Sequence, residues 1–304
     1  MYLYLILLAM PTITKAVIAC GGYSTRFLPT VKTYAKQLIP ILDKPQIQWV
    51  IEELIGAGIT DMVIVHRDGE ETLKKHFTRD AELDAYLDQT GKQKCLDSLE
   101  YIWSKTRLDF LPQTKEYPYG NGVPILVAQD FIGSDPFIYL WGDDITLEDT
   151  PGAFLTKAIA LYQQYSPAVL ECVQWMPDDV LYRYGTVKYV DDPKYPHRIS
   201  ELKEKLPFGQ APSNFIQGGR FVCSPKVIEV LKKTAVSKGE LWFADAVNFL
   251  AQTDVVMTHN YTENNALWST TGDPLNWLRV NLYLASRHPD FQGKLELEAN
   301  FQTK

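Results

Sequence analysis

Residues 15–40 read KAVIACGGYSTRFLPTVKTYAKQLIP, joining an apolar run, a Gly-Gly turn and the spaced cations Arg26, Lys32 and Lys36 in one stretch. Ala16, Val17, Ile18 and Ala19 have the make-up of a short buried strand. Gly21 and Gly22 end it with residues that permit positive φ and close backbone approach. A turn of exposed N–H groups beside a guanidinium and two ammoniums suits a triphosphate, because backbone dipoles and cations both favour concentrated negative charge. The plainer reading is a strand, a turn and a basic surface loop. The spacing matches neither a Walker A loop with its terminal Lys-Ser/Thr nor G-x-G-x-x-G, which weighs against kinase, ATPase and dehydrogenase chemistry.

The rest of the chain continues the strand and helix pattern. Pro45 stands near a helix start, and Ile47, Val50, Ile51, Leu54 and Ile55 follow at helical spacing until Gly56 and Gly58. Residues 62–65 then read as a second strand, which makes a strand-helix-strand unit of the kind that builds a parallel sheet. Further strands are expected at 137–141 and 168–174, with a helix at 152–165 between them. Helices are expected at 226–233, 241–252 and 275–287. Residues 82–104 are charged and helical in pattern, and read as a peripheral insertion after the second strand. With no repeat or long linker, the expectation is one domain holding a mixed sheet between helical layers.

Composition sets bounds. A chain of 304 residues can bury roughly three quarters of its unfolded surface. A formal charge of −7 weighs against a nucleic-acid partner, since phosphate-backbone binding needs a basic face. Cys20, Cys95, Cys172 and Cys223 lie far apart with no C-x-x-C pair, which fits a reduced, cytoplasmic setting. The histidines are scattered without zinc spacing. The opening MYLYLILLAM is apolar but lacks a basic n-region and falls short of the about 20 residues that a membrane helix needs. Because MPTITKAVIAC begins naturally at Met10, residues 1–9 are expected to be an N-terminal extension or an upstream start, with residues 10–304 as the single domain. Docking of that tip on a membrane is the lesser alternative.

Asp143 and Asp144 directly follow the apolar FIYLW, which puts carboxylates at the carboxyl end of a sheet strand, where open α/β folds place ligands. The bland alternative is a strand-end turn. Glu201, Lys203, Glu204 and Lys205 form a mixed-charge run of the kind usually left in water.

A family resemblance sharpens these readings. The stretch KAVIACGGYSTRFLPTVKTYAKQLIPILDKP resembles the signature of sugar-nucleotide pyrophosphorylases, and is most similar to the bacterial UTP glucose-1-phosphate uridylyltransferase version, written with AGLGTR, LPATK and PKEMLP. Blocks GITDMVIV, FIYLWGDD, YGTV, EKLPFGQAPSN, GGRFVCSP and GELWFADAVNFL follow in the family's order, from Lys15 to about Arg287. The resemblance implies a Rossmann-like three-layer α/β/α fold with a mixed, mostly parallel central sheet. It implies nucleotidyl transfer from UTP to glucose 1-phosphate with Mg2+, both substrates being small molecules. The helical segment 82–104 and the last helix, not the resemblance, make a homo-oligomer the expectation. On matching positions the resemblance implies a nucleotide loop at Gly21, Gly22, Tyr23, Ser24 and Thr25, with Gln113 and Gly120 at the base. Arg26 and Lys36 would hold the departing phosphates, Asp143 the metal, and Lys205 the sugar phosphate. Glu204, Gly185 and Gly219 would surround the hexose, and Asp144 would make a turn or support the site.

Departures from the pattern accompany the match. Ser24 stands where the family loop has its second glycine, and Ala35 replaces the proline before Lys36. The base block QTKEYPYGNG, which also holds Gly122, has two extra residues, and Val123-Pro124 replace the usual His-Ala. In WSTTGDP, Thr270 stands where the family generally has a second acid, leaving Asp273 or substrate phosphates to compensate. These departures keep cytidylyl or thymidylyl transfer, or a catalytically weak sugar-nucleotide binder, open as rivals.

Overall fold

A computed structural model describes residues 12–291 of the chain, and the expected N-terminal segment, residues 1–9, lies outside them. The chain enters through β1 (Lys15–Cys20), passes a short antiparallel pair, β2 (Pro40–Ile41) and β3 (Lys44–Pro45), and forms α1 (Gln46–Gly56) and β4 (Asp61–Arg67). Three helices, α2 (Thr72–His76), α3 (Ala81–Gln89) and α4 (Gln93–Lys105), lead to β5 (Arg107–Gln113). Two short helices, α5 (Val123–Val127) and α6 (Gln129–Ile132), precede β6 (Phe137–Trp141) and β7 (Asp144–Leu147). After α7 (Ala153–Tyr165) come β8 (Val169–Trp175), β9 (Gly185–Tyr189), β10 (Ile199–Glu204) and β11 (Phe215–Cys223). The described chain closes with α8 (Lys226–Lys233), α9 (Phe243–Thr253), β12 (Val256–Asn260), β13 (Leu267–Thr270) and α10 (Pro274–Ala285).

Nine strands form the main sheet in the order β10-β9-β11-β6-β1-β4-β5, with β8 paired to β11 and β12 to β8. β1 is parallel to both β4 and β6, and β5 to β4; β11 and β10 run against the others, so the sheet is mixed and mostly parallel. Period-2 alternation sends successive side chains to opposite faces. In β1, Ala16, Ile18 and Cys20 face a core built with α1 and α7, whereas Val17 faces one built with α5, α8 and α9. The three layers follow from that alternation, because each face must be covered by an apolar helix stripe.

The strand expected at 137–141 is present with those ends, and the strands expected at 62–65 and 168–174 and the helix at 152–165 are present with shifted ends. Residues 82–104 are not an insertion beside the sheet. They form α3 and α4, the crossover that carries β4 to the parallel strand β5. Among the described residues no helix is long and apolar enough to cross a membrane. All four cysteines are free; Cys20, Cys172 and Cys223 are buried, and Cys95 is exposed on α4.

Candidate active site

The carboxyl ends of β1 and β6 open into a cleft of about 470 Å³, closed on its far side by the β9–β10 ladder. Gly21, Gly22, Arg26 and Lys36 line it from the first loop, and Gln113 and Gly120 from the loop after β5. Asp143 contributes from the β6–β7 turn, and Gly185, Glu204 and Lys205 from β9 and β10. Ten of the residues expected from sequence therefore meet in one place.

Buried Lys36 hydrogen-bonds and ion-pairs with Asp143 Oδ2. Burial pushes the Asp143 carboxyl up, but the Lys36 charge and hydrogen bond, with the Arg26 charge, outweigh it and hold the group below the usual carboxylate range. Asp143 therefore stays ionised. The backbone N–H and hydroxyl of Thr271 both donate to its carbonyl at 2.8 Å, which ties this turn to the loop after β13. Asp144 is buried in β7, where its Oδ2 accepts from Trp268 Nε1 at 3.0 Å. Burial and then the Asp143 charge push the Asp144 carboxyl up to about 7. The two neighbours thus differ in chemistry, one a charged group in the cleft and the other a structural acceptor.

Glu204 and Gly185 are register partners on β10 and β9. A side chain at Gly185 would begin 2.8 Å from Gln217 Oε1 and 2.9 Å from Glu204 Oε1, so only glycine leaves that point open. The charged run at 201–204 is a strand rather than the exposed loop that its composition suggests. Lys205 follows it in the left-handed region at φ 45°, with its N–H donating to Tyr184 O at 3.1 Å and its ammonium 6.0 Å from the Trp242 ring centroid. Such a conformation costs a non-glycine residue about 1–2 kcal/mol and is held here by the pinned backbone.

Gly219, Ser24, Tyr23 and Lys32 lie outside the cleft, whereas Asp273 lines it. Gly219 does not line the cleft: at φ 63° its bareness admits the Asp144 carboxylate, whose Oδ2 lies 2.3 Å from where a side chain would begin. Its glycine serves packing behind the turn rather than hexose approach. Ser24 takes φ 56°, the left-handed conformation that the family's glycine would supply, and it starts the 3₁₀ turn Thr25–Phe27 without facing the cleft. Tyr23 faces an adjoining hollow shared with Gln113 and Arg67, whose guanidinium lies 5.4 Å from its ring centroid. Lys32 is exposed outside the cleft. Asp273 caps α10, its Oδ1 accepting from Asn276 N–H at 3.0 Å and its Oδ2 from Asn276 Nδ2 at 2.7 Å, which limits its freedom to replace the acid missing at Thr270.

Arg183, Gln217, Trp242 and Trp268 line the cleft without having been anticipated. A cation two residues before the YGTV glycine was a legible signal for Arg183; Gln217 carried none. Among the described residues no three His, Cys, Asp or Glu side chains gather as a metal cage. Asp143 nevertheless offers a hard anionic oxygen, which fits Mg2+ when substrate phosphates supply other ligands.

A three-layer sheet with cations, a carboxylate and a glycine loop at its carboxyl edge defines a nucleotidyltransferase. The chain belongs to the nucleotidyl transferase family, whose model matches residues 15–287. It is 30% identical over 287 residues to a UTP–glucose-1-phosphate uridylyltransferase of Bacillus subtilis (strain 168), covering 94% of this chain and 96% of that one. A Staphylococcus saprophyticus UTP–glucose-1-phosphate uridylyltransferase is 33% identical over 250 residues, covering 82% and 85%. Among solved structures, a UTP-bound UGPase from Acinetobacter baumannii superposes with a TM-score of 0.83 at 28% identity, covering 94% of this chain and 100% of that one.

Proposed function

We propose that the chain transfers a uridylyl group from UTP to glucose 1-phosphate, giving UDP-glucose and pyrophosphate. The observation that carries this reading is the gathering of Arg26, Lys36 and Lys205 in one cleft with ionised Asp143. A phosphate oxygen of glucose 1-phosphate attacks the α-phosphorus of UTP in line as the bond to the β-phosphate oxygen breaks. Phosphoryl-type transfer asks the protein mainly for positioning and charge stabilisation. Arg26 and Lys36 hold the departing pyrophosphate, and Lys205 holds the attacking phosphate. Gly21 and Gly22 offer backbone N–H groups to the triphosphate, Gln113 and Gly120 face the base, and Glu204 accepts from hexose hydroxyls beside Gly185. Asp143 would hold Mg2+, which when bound would neutralise charge on the phosphate oxygens. The names of the relatives support the base and the sugar. Free thiols support a cytoplasmic setting, and the exposed Leu275, Leu278 and Leu282 of α10 support a homo-oligomer.

Pyrophosphate release with glucose 1-phosphate and Mg2+, run against UTP, dTTP, CTP, ATP and GTP, tests the reading. Turnover should be confined to UTP and vanish in Asp143→Ala. Turnover with CTP or dTTP instead would move the base assignment, and none with any nucleotide would overturn the reading. The engagement of Asp273 as a helix cap favours one alternative, a weak enzyme that binds sugar nucleotides. Under that alternative Thr270→Asp gains turnover; in a competent enzyme it gains little.

A further inference from the structure

Glu171, in the middle of β8, is fully buried, and neither of its carboxyl oxygens has a hydrogen-bond partner. Its register partners are Phe221 on β11 and Thr258 on β12, and the flanking Val169 and Val173 belong to the core under α8 and α9. Gln217 on β11 is 4% exposed, and its Nε2 also lacks a partner. Buried polar groups are normally satisfied, so orphans of this kind call for an explanation. Gln217 pairs with Val173, two residues along β8 from Glu171 and on the same face, which makes the two side chains neighbours. Burial pushes the Glu171 carboxyl up to about 8, and the Gln217 amide offsets part of that rise.

The other end of the same amide reaches the cleft. Gln217 Oε1 and Glu204 Oε1 both approach the point left open by Gly185. The register of β11 against β8 shifts between Gln217 and Phe221, an irregularity of the kind that re-aims a side chain next to a site. Two acceptor oxygens, from the strands on either side of β9, thus converge where the proposed reading puts the hexose.

We infer that Gln217 is a further sugar-recognising residue, its Oε1 accepting from a hexose hydroxyl next to the one that Glu204 holds, and that Glu171 is a positioning residue that fixes the amide from behind. The inference rests on the proposed uridylyltransferase reading and adds a side chain that selects among hexoses. A sugar with the hydroxyl at that carbon is favoured, and one lacking it leaves both the amide and its buried support unpaired, which is costly in a desolvated site.

Steady-state kinetics of wild type, Gln217→Met, Glu171→Gln and Glu171→Leu test it, with unfolding midpoints checking that each is folded. Gln217→Met should raise KM for glucose 1-phosphate about tenfold, the loss of one hydrogen bond, with KM for UTP unchanged. Glu171→Gln, which keeps a polar partner for the amide, should retain the wild-type KM, and Glu171→Leu should reproduce Gln217→Met. Among 2-, 3- and 4-deoxyglucose 1-phosphates, one should bind wild type and Gln217→Met equally. A Gln217→Met enzyme with wild-type KM for every sugar would overturn the inference alone. A change in Gln217→Met that Glu171→Leu does not share would overturn the positioning role. A wild type without turnover on any sugar 1-phosphate would overturn the uridylyltransferase reading and this inference with it.

Discussion

Glu171 spends its life among valines, and its titration should be visible in the stability of the protein. Its folded pKa, pushed up to about 8 by burial, lies above the ordinary 4.5. The unfolded chain therefore releases its proton first, so the contribution of Glu171 is complete below about pH 4.5 and is lost as pH rises through about 8. Glu171→Gln removes that dependence. Its stability advantage over wild type should be absent at pH 4.5 and reach a few kcal/mol at pH 8, as read by urea denaturation across the range. An advantage independent of pH would show that the carboxyl is not held in its neutral form. Nothing in VLECVQW distinguishes such a glutamate from one facing water, because polarity along a strand does not reveal which layer covers it. Asp143 was legible for the opposite reason: a carboxylate just past an apolar strand sits at a sheet edge. The same rule left the burial of Asp144 unseen.

Among the elements, β11 holds the β6–β7 turn in place. Arg220, fully buried in β11, donates to Glu53 on α1 from Nε at 3.1 Å and from Nη2 at 2.8 Å, and to the Asp144 carbonyl at 2.8 Å. Thr146 on β7 donates to the same Glu53 at 2.8 Å. One ion pair thus links helix, strand and the turn that presents Asp143. Arg220→Met should cost about 3–5 kcal/mol in urea denaturation, because it strands a buried carboxylate, and adding Glu53→Met should recover most of the loss. A cost below 1 kcal/mol would show that water reaches Glu53 in the variant. β1, β6 and β8 were readable because buried parallel strands are continuous apolar runs. β5, β10 and β11 were not, since RLDFLPQ and ISELKE mix charge with apolar residues, and the glycines and arginine of FIQGGRFVC break the pattern.

Across the whole molecule, the cleft is assembled from segments distant in sequence, from Ala19 to Asn276. A ligand that bridges them binds only the folded chain. UDP-glucose at a hundredfold its Kd should stabilise the protein by roughly 2.7 kcal/mol, seen as a rise of several degrees in the unfolding midpoint. Equal shifts with UDP and with UDP-glucose at the same concentration would show that the β9–β10 wall contributes nothing to the sugar. Family blocks made this assembly legible before any coordinates, since their order along the chain specified which loops must meet. The role of Gly219 was misread because a bare position looks the same whether a ligand or a neighbouring carboxylate fills the space.

The cysteines offer a consequence of a practical kind. With Cys20, Cys172 and Cys223 buried and Cys95 exposed on the crossover helix α4, the native protein carries its own single-site attachment point. A maleimide fluorophore should label with unit stoichiometry and leave turnover intact, since Cys95 is not among the cleft residues. Such a dye would mark the crossover without any engineered substitution, and a change in its emission on adding substrate would show whether that segment responds to the cleft.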